Sequence, residues 1–452
     1  MSEPEYLLCA ERAPANLLIR DVRVIDPREQ IDTRLDVRVR GGEIAELGAA
    51  GTLEERGEGE EVRDPGSGEV LVPAFFDPHV HLRTPGHEHK EDVASGTRAA
   101  AAGGYAGVIA MPNTAPVLDS APLLRSVREA AAREAHVAVG FLPAITRELA
   151  GEQLTEMAEL RQQGALGFTD DGMPVRSAGM LRKALQYQRL CGGVIALHEE
   201  DPTLSRGGAM NEGAVSAALG ITGIPTLAES TMVARDAEIA SYEDARVHFM
   251  HLSCAASART VAEAKARGAR VSAEVSPHHL LLNDEAVREM DTSMKMHPPL
   301  TSEEDRRALV EGLRSGAIDC VATDHAPHAR DEKEVPFEQA PMGTTGLETA
   351  FAALHTELVL PGVIGLDVLI ERLTNGAELF ALPAARIAPG QPANLALIDL
   401  AERWTAGEHG WYSRAENCCF AGRELQGRVL LTVAAGGVAH RDRDRGAVAA
   451  GG

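Results

Sequence analysis

The sequence predicts an α/β protein: a (β/α)8 TIM-type barrel with a small β domain built from both ends of the chain. Apolar, strand-like runs alternate with alanine-rich amphipathic stretches through the middle of the chain. Short segments of β character with glycine turns stand at both ends. A barrel of this kind takes about 250 residues, so a chain of 452 residues has room for one barrel and a smaller unit.

The small β domain is predicted at residues 1–68 and 384–452. In the first part, residues 17–25, 35–39 and 43–47 read as strands, and Gly41-Gly42 supplies a hairpin turn. In the second part, strands are predicted at residues 395–399, 429–433 and 437–440. The chain from Arg441 onward is rich in glycine and is expected to fray.

The barrel is predicted at residues 69–383. Ser120 and Ser302 each precede an amphipathic stretch and are predicted to begin helices. Eight strand-like runs alternate with such helices, which favours a parallel barrel over a doubly wound sheet. These runs end with residues 79–83, 107–112, 137–143, 165–171, 194–198, 247–251, 271–277 and 318–324.

Charge and composition exclude several classes of protein. The formal net charge is −23, which argues against general affinity for nucleic acid or anionic membranes. The chain has no run of about 18 apolar residues, and its acidic start lacks the basic and apolar regions of a signal peptide. The six cysteines show no metal-finger spacing. We therefore expect a cytoplasmic protein with reduced thiols.

Two histidines end the first predicted barrel strand. His79 and His81 are spaced i and i+2, so both rings point to the same side of an extended backbone. Neutral imidazole is a common ligand of Zn²⁺. Taken alone, a His-x-His at a strand end is more often an ordinary polar strand end than a metal site.

Ligand-type residues also follow four other predicted strands. They are Asp170-Asp171, His198, His251 and Asp324, with His325 and His328 close behind. The C-terminal ends of barrel strands meet on one face, where the chemistry of such folds takes place. One histidine or aspartate there is usually structural, but the joint set matches the ligands of a hydrolytic metal site.

The ordered set resembles the amidohydrolase superfamily, and the flanking motifs are similar to those of dihydroorotases of the larger bacterial class. The motifs run through essentially the whole chain and include the segment from Asp77 to Arg83 and the one from Ala322 to His328. The remaining motifs are residues 111–114, 168–172, 276–281, 298–300 and 346–349.

The resemblance implies a centre of one or two zinc ions and an enzyme of de novo pyrimidine (UMP) biosynthesis. It implies zinc held by His79, His81 and Asp324, with Asp171 bridging toward a second position formed with His198 and His251. Zinc lowers the pKa of bound water from about 15.7 to roughly 7, and the resulting hydroxide attacks the ring amide of L-dihydroorotate. Asp324 resembles the general acid/base, and the product is N-carbamoyl-L-aspartate.

Dihydroorotate carries a carboxylate, so a cation is expected in the substrate site. Arg83 stands two residues beyond His81 and, in an extended strand, would share its face and form a bidentate fork. The resemblance adds Asn113 and His328 to this carboxylate site.

A loop and one departure from the family pattern complete the predicted substrate site. Residues 330–343 resemble a loop that closes over substrate, with Met342 and Gly343 supplying backbone contacts. His297 stands where the resemblance leads us to expect asparagine. Histidine is bulkier and can titrate, so we expect the affinity or its pH dependence to differ.

Two other functions are compatible with the fold. Hydantoinases and allantoinases resemble one another in a carboxylated lysine that bridges two metals at the end of strand four; here that end is Asp170-Asp171, and Lys183 lies in the next helix. A silent dihydroorotase-like subunit would organise aspartate transcarbamoylase, but its mark would be lost metal ligands, and all six positions are kept. An active enzyme could also form this association or a homodimer.

Overall fold

The three strands predicted near the N-terminus form, and two further strands follow them. The computed structural model describes residues 5–55 and 59–442 of the chain. Gly41 and Gly42 have φ values of 59° and 83°, the left-handed conformations that the predicted hairpin turn requires. The strands are β1 Leu17–Asp26, β2 Ile31–Arg40, β3 Glu43–Ala49, β4 Glu61–Arg63 and β5 Glu69–Pro73.

Short strands, mostly parallel, fill the middle of the chain. They are β6 Phe75–Val80, β7 Tyr105–Ala110, β8 Ala138–Phe141, β9 Gly167–Thr169, β10 Val194–Leu197, β11 Met210–Asn211, β12 Gly223–Ile224, β13 Val247–Phe249, β14 Val271–Val275 and β15 Cys320–Val321. β6, β7 and β8 form one parallel sheet, and β9, β10, β13, β14 and β15 form another. β11 and β12 form a separate pair. Each of the eight predicted strand regions overlaps one strand of the two larger parallel sheets.

Backbone hydrogen bonds connect the edges of these two parallel sheets. Beside β8 and β9, the N–H of Leu166 donates to the carbonyl of Phe141 over 3.0 Å. Beside β6 and β15, the N–H of His81 donates to the carbonyl of His325 over 2.9 Å. Both edges of the three-stranded sheet therefore meet an edge of the five-stranded sheet.

Helices follow most of the parallel strands. Ser120 and Ser302 are the N-cap residues of α2 and α9, as predicted, and the hydroxyl of Ser302 accepts a hydrogen bond from the N–H of Asp305 over 3.2 Å. The helices are α1 Val93–Ala102, α2 Ala121–Glu134, α3 Met157–Gln162, α4 Ala178–Cys191, α5 Ala214–Leu219, α6 Leu227–Glu243, α7 Ala255–Ala266, α8 Pro277–Leu281, α9 Glu303–Ser315, α10 Arg330–Lys333, α11 Ala350–Leu354, α12 Leu366–Thr374 and α13 Gly376–Leu379. Short 3₁₀ turns cover Arg147–Leu149, Asp284–Val287 and Thr292–Met294, and a π-helical turn covers His355–Val359.

The C-terminal strands complete an outer sheet that both ends of the chain build. They are β16 Leu395–Thr405, β17 Glu424–Ala434 and β18 Gly437–Arg441. The strand order is β18-β17-β16-β5-β1-β2-β3, with β4 beside β1. β5, which the sequence analysis assigned to the barrel, lies inside this outer sheet, and the parallel strands begin with β6. Most of the predicted frayed tail, residues 443–452, lies outside the described residues.

Apolar side chains form one cluster around the parallel strands and another within the outer sheet, and residues of the outer sheet such as Val72 and Ile398 also join the first cluster. Val108, Phe168 and Leu197 belong to the cluster around the parallel strands. Leu17 and Leu395 belong to the cluster of the outer sheet, although they come from opposite ends of the chain. Among the described residues, no helix combines the length and the apolar character needed to cross a bilayer.

Candidate metal centre

The six predicted metal ligands meet at the C-terminal ends of the parallel strands. Each is exposed by 8% or less. Because parallel strands end at one face, residues far apart in the sequence converge there without long loops. His79 lies in β6 and His81 just after it, whereas Asp171, His198, His251 and Asp324 follow the ends of β9, β10, β13 and β15.

Four of these side chains lie close enough together to hold a metal ion, and we call this candidate site the first metal position. His79 Nε2 lies 3.5 Å from Asp171 Oδ1 and 3.4 Å from Asp324 Oδ1. His81 Nε2 lies 3.5 Å from Asp171 Oδ2 and 3.0 Å from Asp324 Oδ1. Two ligands about 2.05 Å from one tetrahedral ion stand about 3.3 Å apart, so these separations fit zinc-sized coordination. His79 Nε2 is also buried without a hydrogen-bond partner among the described residues.

Three side chains form a second group that could hold a metal ion, and we call this candidate site the second metal position. His198 Nδ1 lies 2.9 Å from His251 Nε2, and each of these nitrogens lies 3.8 Å from Asp171 Oδ1. Asp171 therefore contributes to both positions, as expected of a bridging carboxylate. The donor set of imidazole nitrogens and carboxylate oxygens fits a divalent metal ion.

Hydrogen bonds orient the two histidines of the first position. His79 Nδ1 lies 2.7 Å from Glu274 Oε1, and His81 Nδ1 lies 2.9 Å from Asn113 Oδ1. Both oxygens are acceptors, so each Nδ1 carries the hydrogen and each Nε2 keeps its lone pair for a metal.

The second position has no such support within the described residues. His198 Nε2 and His251 Nδ1, the nitrogens that face away from Asp171, are buried there without a hydrogen-bond partner.

The electrostatics of the site favour a bound cation. Burial raises the pKa of Asp171, but the charges and hydrogen bonds of His79, His251 and His81 together lower it well below the usual range. Asp324 shows the same balance, again with His79 as the strongest lowering charge. Burial lowers the pKa of His79, yet Asp324, Asp171 and Glu274 together raise it well above its usual value. The carboxylates thus stay ionised and draw positive charge to His79, where a metal cation can take the place of the proton on Nε2.

Three residues of the site have left-handed backbone conformations. The φ values are 31° for His251, 47° for Asp324 and 58° for Arg83. Such conformations cost free energy in residues other than glycine and persist only where the surrounding structure holds them. They redirect these side chains away from the course of the preceding strand.

The backbone at Arg83 does not have the predicted extended conformation. β6 ends at Val80 and Arg83 has a positive φ, so the assumption of one extended strand from His81 to Arg83 is wrong. The side chain is nevertheless only 9% exposed, and Nε donates to the carbonyl of Pro327 over 3.1 Å. Burial lowers its pKa to about 10, so Arg83 stays charged at neutral pH. Its terminal nitrogens have no hydrogen-bond partner within the described residues.

Asn113 lies against the metal ligands. Its Oδ1 is bonded to His81, and its Nδ2 donates to Asp171 Oδ2 over 3.4 Å. The residue that the sequence analysis assigned to the carboxylate site is therefore already held by two residues of the first position.

His328, Met342 and Gly343 lie together, but the protein itself occupies several of their polar groups. His328 Nε2 donates to the carbonyl of Met342 over 2.9 Å, and the N–H of Gly343 donates to the carbonyl of Lys295 over 2.8 Å. Burial, Arg83 and nearby lysines lower the pKa of His328 to about 3. The Gly343 N–H, expected to face the substrate, is thus already bonded.

His297 lies beside the second metal position. Its ring meets the ring of His198 edge-on at 4.7 Å between centroids, and its Nε2 donates to Glu200. Burial lowers the pKa of His297, but the hydrogen bond and charge of Glu200 raise it above the usual value. The residue that departs from the family pattern is therefore fixed by a carboxylate.

Sequence reasoning missed several residues that support the site. Lys295 Nζ donates to the carbonyls of Phe337, Glu338 and Ala340, and Lys333 Nζ donates to those of Thr292 and Pro341, so both buried ammonium groups hold the loop at residues 330–343.

Glu274 and Asn417 were also missed. Asn417 Nδ2 donates to the carbonyls of Ala326 and Gly343. Glu274 stood in a run otherwise suited to a buried strand, and a charge there was a usable signal. The bonds of Asn417 and the lysines depend on distant segments and left no local signal.

Comparison with known proteins is consistent with this geometry. A profile of the family described as dihydro-orotase-like matches residues 68–257. The dihydroorotase of Pelotomaculum thermopropionicum is 44% identical over 428 residues, which cover 94% of this chain and 99% of that protein. The dihydroorotase of Geobacter metallireducens is 42% identical over 427 residues, which cover 94% of this chain and all of that protein.

Solved structures support the fold. L-hydantoinase from Arthrobacter aurescens superimposes with a TM-score of 0.84 at 24% identity, covering 94% of this chain and 96% of the other. D-hydantoinase from a Thermus species gives a TM-score of 0.80 at 24% identity, covering 94% and 95%. At such identities the likeness establishes a shared fold only. The near-complete alignment at more than 40% identity goes further, and it shows that the chain belongs to the dihydroorotase family.

Proposed function

We propose that the protein is a zinc-dependent dihydroorotase that interconverts L-dihydroorotate and N-carbamoyl-L-aspartate in de novo pyrimidine biosynthesis. The observation that carries this proposal is the pair of ligand sets that share Asp171, with the charged Arg83 buried nearby. Membership of the dihydroorotase family supports the choice of substrate.

The proposed metal is zinc, with one or two ions per chain. His79, His81, Asp171 and Asp324 would hold the first ion, and Asp171, His198 and His251 the second. Imidazole and carboxylate donors at these separations suit zinc. When bound, zinc supplies Lewis-acid activation of water and of the ring carbonyl.

Asp324 is the proposed general acid/base. Its lowered pKa keeps the carboxylate ionised at neutral pH, so it can accept a proton from the attacking water. His81 Nε2, 3.0 Å from its Oδ1, fixes the orientation of the carboxylate. The same proton then passes to the ring nitrogen that leaves when the amide bond breaks, and the reverse sequence closes the ring.

Arg83 is the proposed partner of the substrate carboxylate, because its terminal guanidinium nitrogens are unused within the described part of the chain. Asn113 Nδ2 is a second donor at the same end of the site. His328 donates Nε2–H to Met342, so its Nδ1 can donate to a carboxylate only if the anion raises the pKa of the ring enough to protonate it.

His297, Met342 and Gly343 complete the proposed substrate site. Glu200 takes the Nε2–H of His297, which leaves Nδ1 for the bound ring. Since the N–H of Gly343 is bonded to Lys295, the proposed backbone contact falls mainly to Met342. The loop at residues 330–343 would cover the substrate.

We also propose that the parallel strands close into a (β/α)8 barrel within residues 69–383. The hydrogen bonds at both sheet edges support closure. The two flanking parts, up to residue 68 and from residue 384, would form the small β domain. The pairing of β5 with β1 and β16 favours a boundary just after Pro73.

A cytoplasmic location and association as a homodimer or with aspartate transcarbamoylase are further proposals. They rest on the resemblance. Light scattering of the protein alone and mixed with aspartate transcarbamoylase tests both associations; a monomer that forms no complex would contradict them.

The function is tested by following the absorbance of L-dihydroorotate with metal-loaded protein and with Asp324→Ala. We expect turnover by the wild type, its loss in the variant, and none with hydantoin or allantoin. Turnover of hydantoin would contradict the assigned substrate. No turnover by folded, metal-loaded protein would favour the silent-subunit function.

The carboxylate partner is tested separately with Arg83→Gln. A buried charge that loses its partner typically costs 2 to 5 kcal/mol, so we expect KM for dihydroorotate to rise at least about 30-fold while zinc content stays unchanged. An unchanged KM would exclude Arg83 from the substrate site.

A further inference from the structure

A buried carboxylate, Glu274, lies directly behind both metal positions. It is 1% exposed and stands on β14 between β13 and β15. Its Oε1 accepts from the ring of His79 over 2.7 Å and from the backbone N–H of His251 over 3.2 Å. One oxygen atom therefore touches a ligand residue of the first position and a ligand residue of the second.

The other carboxylate oxygen of Glu274, Oε2, also accepts a hydrogen bond. Oε2 accepts from His248 Nε2 over 3.0 Å, and His248 Nδ1 in turn lies 2.8 Å from the hydroxyl of Ser272. β13 pairs His248 with Ser272, so the register of β13 and β14 places both residues beside Glu274. A buried carboxylate is costly unless donors surround it, and this one has three.

The two contacts of Oε1 act differently on the two metal positions. At His79 the contact selects the tautomer whose Nε2 lone pair faces Asp171 and Asp324, and the negative charge makes that nitrogen a stronger ligand. At His251 the contact holds the backbone at φ 31°, a conformation that an isolated residue avoids. That backbone conformation directs the imidazole toward His198.

We infer that Glu274 is a positioning residue that couples the two metal positions, with His248 as its support. The inference rests on the proposed metal centre. It assigns to one side chain the orientation of the first-position ligand His79 and of the second-position ligand His251. Loss of Glu274 therefore weakens both positions, although it is a ligand at neither.

The test measures zinc affinity at each position by competition with a chelator, using full-length Glu274→Gln and Glu274→Ala. Loss of such an outer partner typically weakens metal binding about 10- to 100-fold, and we expect this loss at both positions. Histidine ¹⁵N spectra provide a second readout, since the signal of a protonated Nδ1 at His79 should weaken in Glu274→Ala, which has no acceptor there.

Two further variants separate positioning from stability. His248→Gln leaves the Oε1 contacts in place and should weaken zinc binding by less than about tenfold. Glu243→Gln removes another buried carboxylate, which accepts from Arg182 and Gln186 on α4. This control should lower the melting temperature of the metal-free protein but leave zinc affinity unchanged.

The result that would overturn the inference differs from the result that would overturn the proposed metal centre. Normal zinc affinity in folded Glu274→Gln and Glu274→Ala would overturn the inference, and a loss confined to the first position would overturn the coupling. If neither Glu274 variant folds, an unchanged zinc affinity in His248→Gln overturns it. A wild-type protein that binds no zinc would overturn the proposed metal centre as well, which distinguishes the two failures.

Discussion

The two metal positions share Asp171 but differ in what stands behind their histidines. In the first position, Glu274 and Asn113 each accept a hydrogen bond from the ring nitrogen that faces away from the metal. In the second position, the corresponding nitrogens of His198 and His251 have no partner among the described residues. The two positions therefore have the same number of histidine ligands but differ in the hydrogen bonds that orient them.

This difference bears on how many zinc ions the protein holds. A ligand ring that is already oriented loses less entropy on binding, and an acceptor behind it strengthens the ligand nitrogen. We therefore expect the first position to bind zinc more tightly and to fill first. The second position would be occupied only at higher free zinc.

Replacing Asp171, the ligand that both positions share, should abolish zinc binding at both positions. In Asp171→Ala, both positions lose a ligand, and we expect zinc content to fall to near zero and kcat to fall at least about 1,000-fold, or roughly 4 kcal/mol of barrier. Metal analysis and turnover measure this. Asp170→Asn is the matched control, because Asp170 accepts hydrogen bonds from Thr146 instead and should keep both ions. Zinc retention by Asp171→Ala would contradict the bridging assignment.

Removing the hydrogen-bond acceptor of His81 should lower the zinc affinity of the first position toward that of the second. Asn113→Ala leaves His81 Nδ1 without its acceptor, and we expect a loss of about 10- to 100-fold in zinc affinity at the first position. Chelator competition measures this without substrate, which separates it from any change in KM. An unaltered first-position affinity would mean that the support of His81 is without consequence.

Gradual removal of zinc from the wild type should reveal two steps. We expect the second ion to leave at a free-zinc concentration about tenfold or more above that for the first. His198→Ala should abolish the weaker step and leave the tighter one. Simultaneous loss of both ions in the wild type would show that the supports do not distinguish the positions.

The smallest effect is expected from His297→Asn, on the side of the second position. Asparagine cannot titrate, and we expect KM to change by less than about tenfold, with zinc at the first position unaffected. Glu200 raises the pKa of His297, so the wild-type ring is protonated below that pKa and loses its proton as pH rises through it. The KM of the wild type should rise over that range, whereas that of His297→Asn should not. Parallel pH profiles would exclude His297 from substrate binding.

The strand ends and the convergence of the predicted ligand residues on one face were predictable because their signals are local. An apolar run followed at once by His198 or Asp171 needs only the rule that parallel strands end on one face. The small sheet was predictable for the same reason, since Gly41-Gly42 marks its hairpin. The resemblance then assigned roles to these residues that spacing alone left open.

The contacts behind the site were not predictable because they connect distant segments. Gly343 looked free to meet substrate, but Lys295 accepts its N–H from another loop. Arg83 looked extended, but its backbone turns at the end of β6. β5 looked like the start of the barrel, because an apolar run continues from it into β6 without showing which sheet each half joins.

The place of β5 in the outer sheet has a consequence for synthesis on the ribosome. β5 pairs with β16, whose first residue, Leu395, is made long after β5, whereas β6, which carries His79, follows β5 almost directly. A nascent chain that stops before Leu395 would leave one edge of β5 unpaired, and such edges recruit other chains. Completion of the outer sheet must therefore await the C-terminal strands, and truncated products should be the aggregating species.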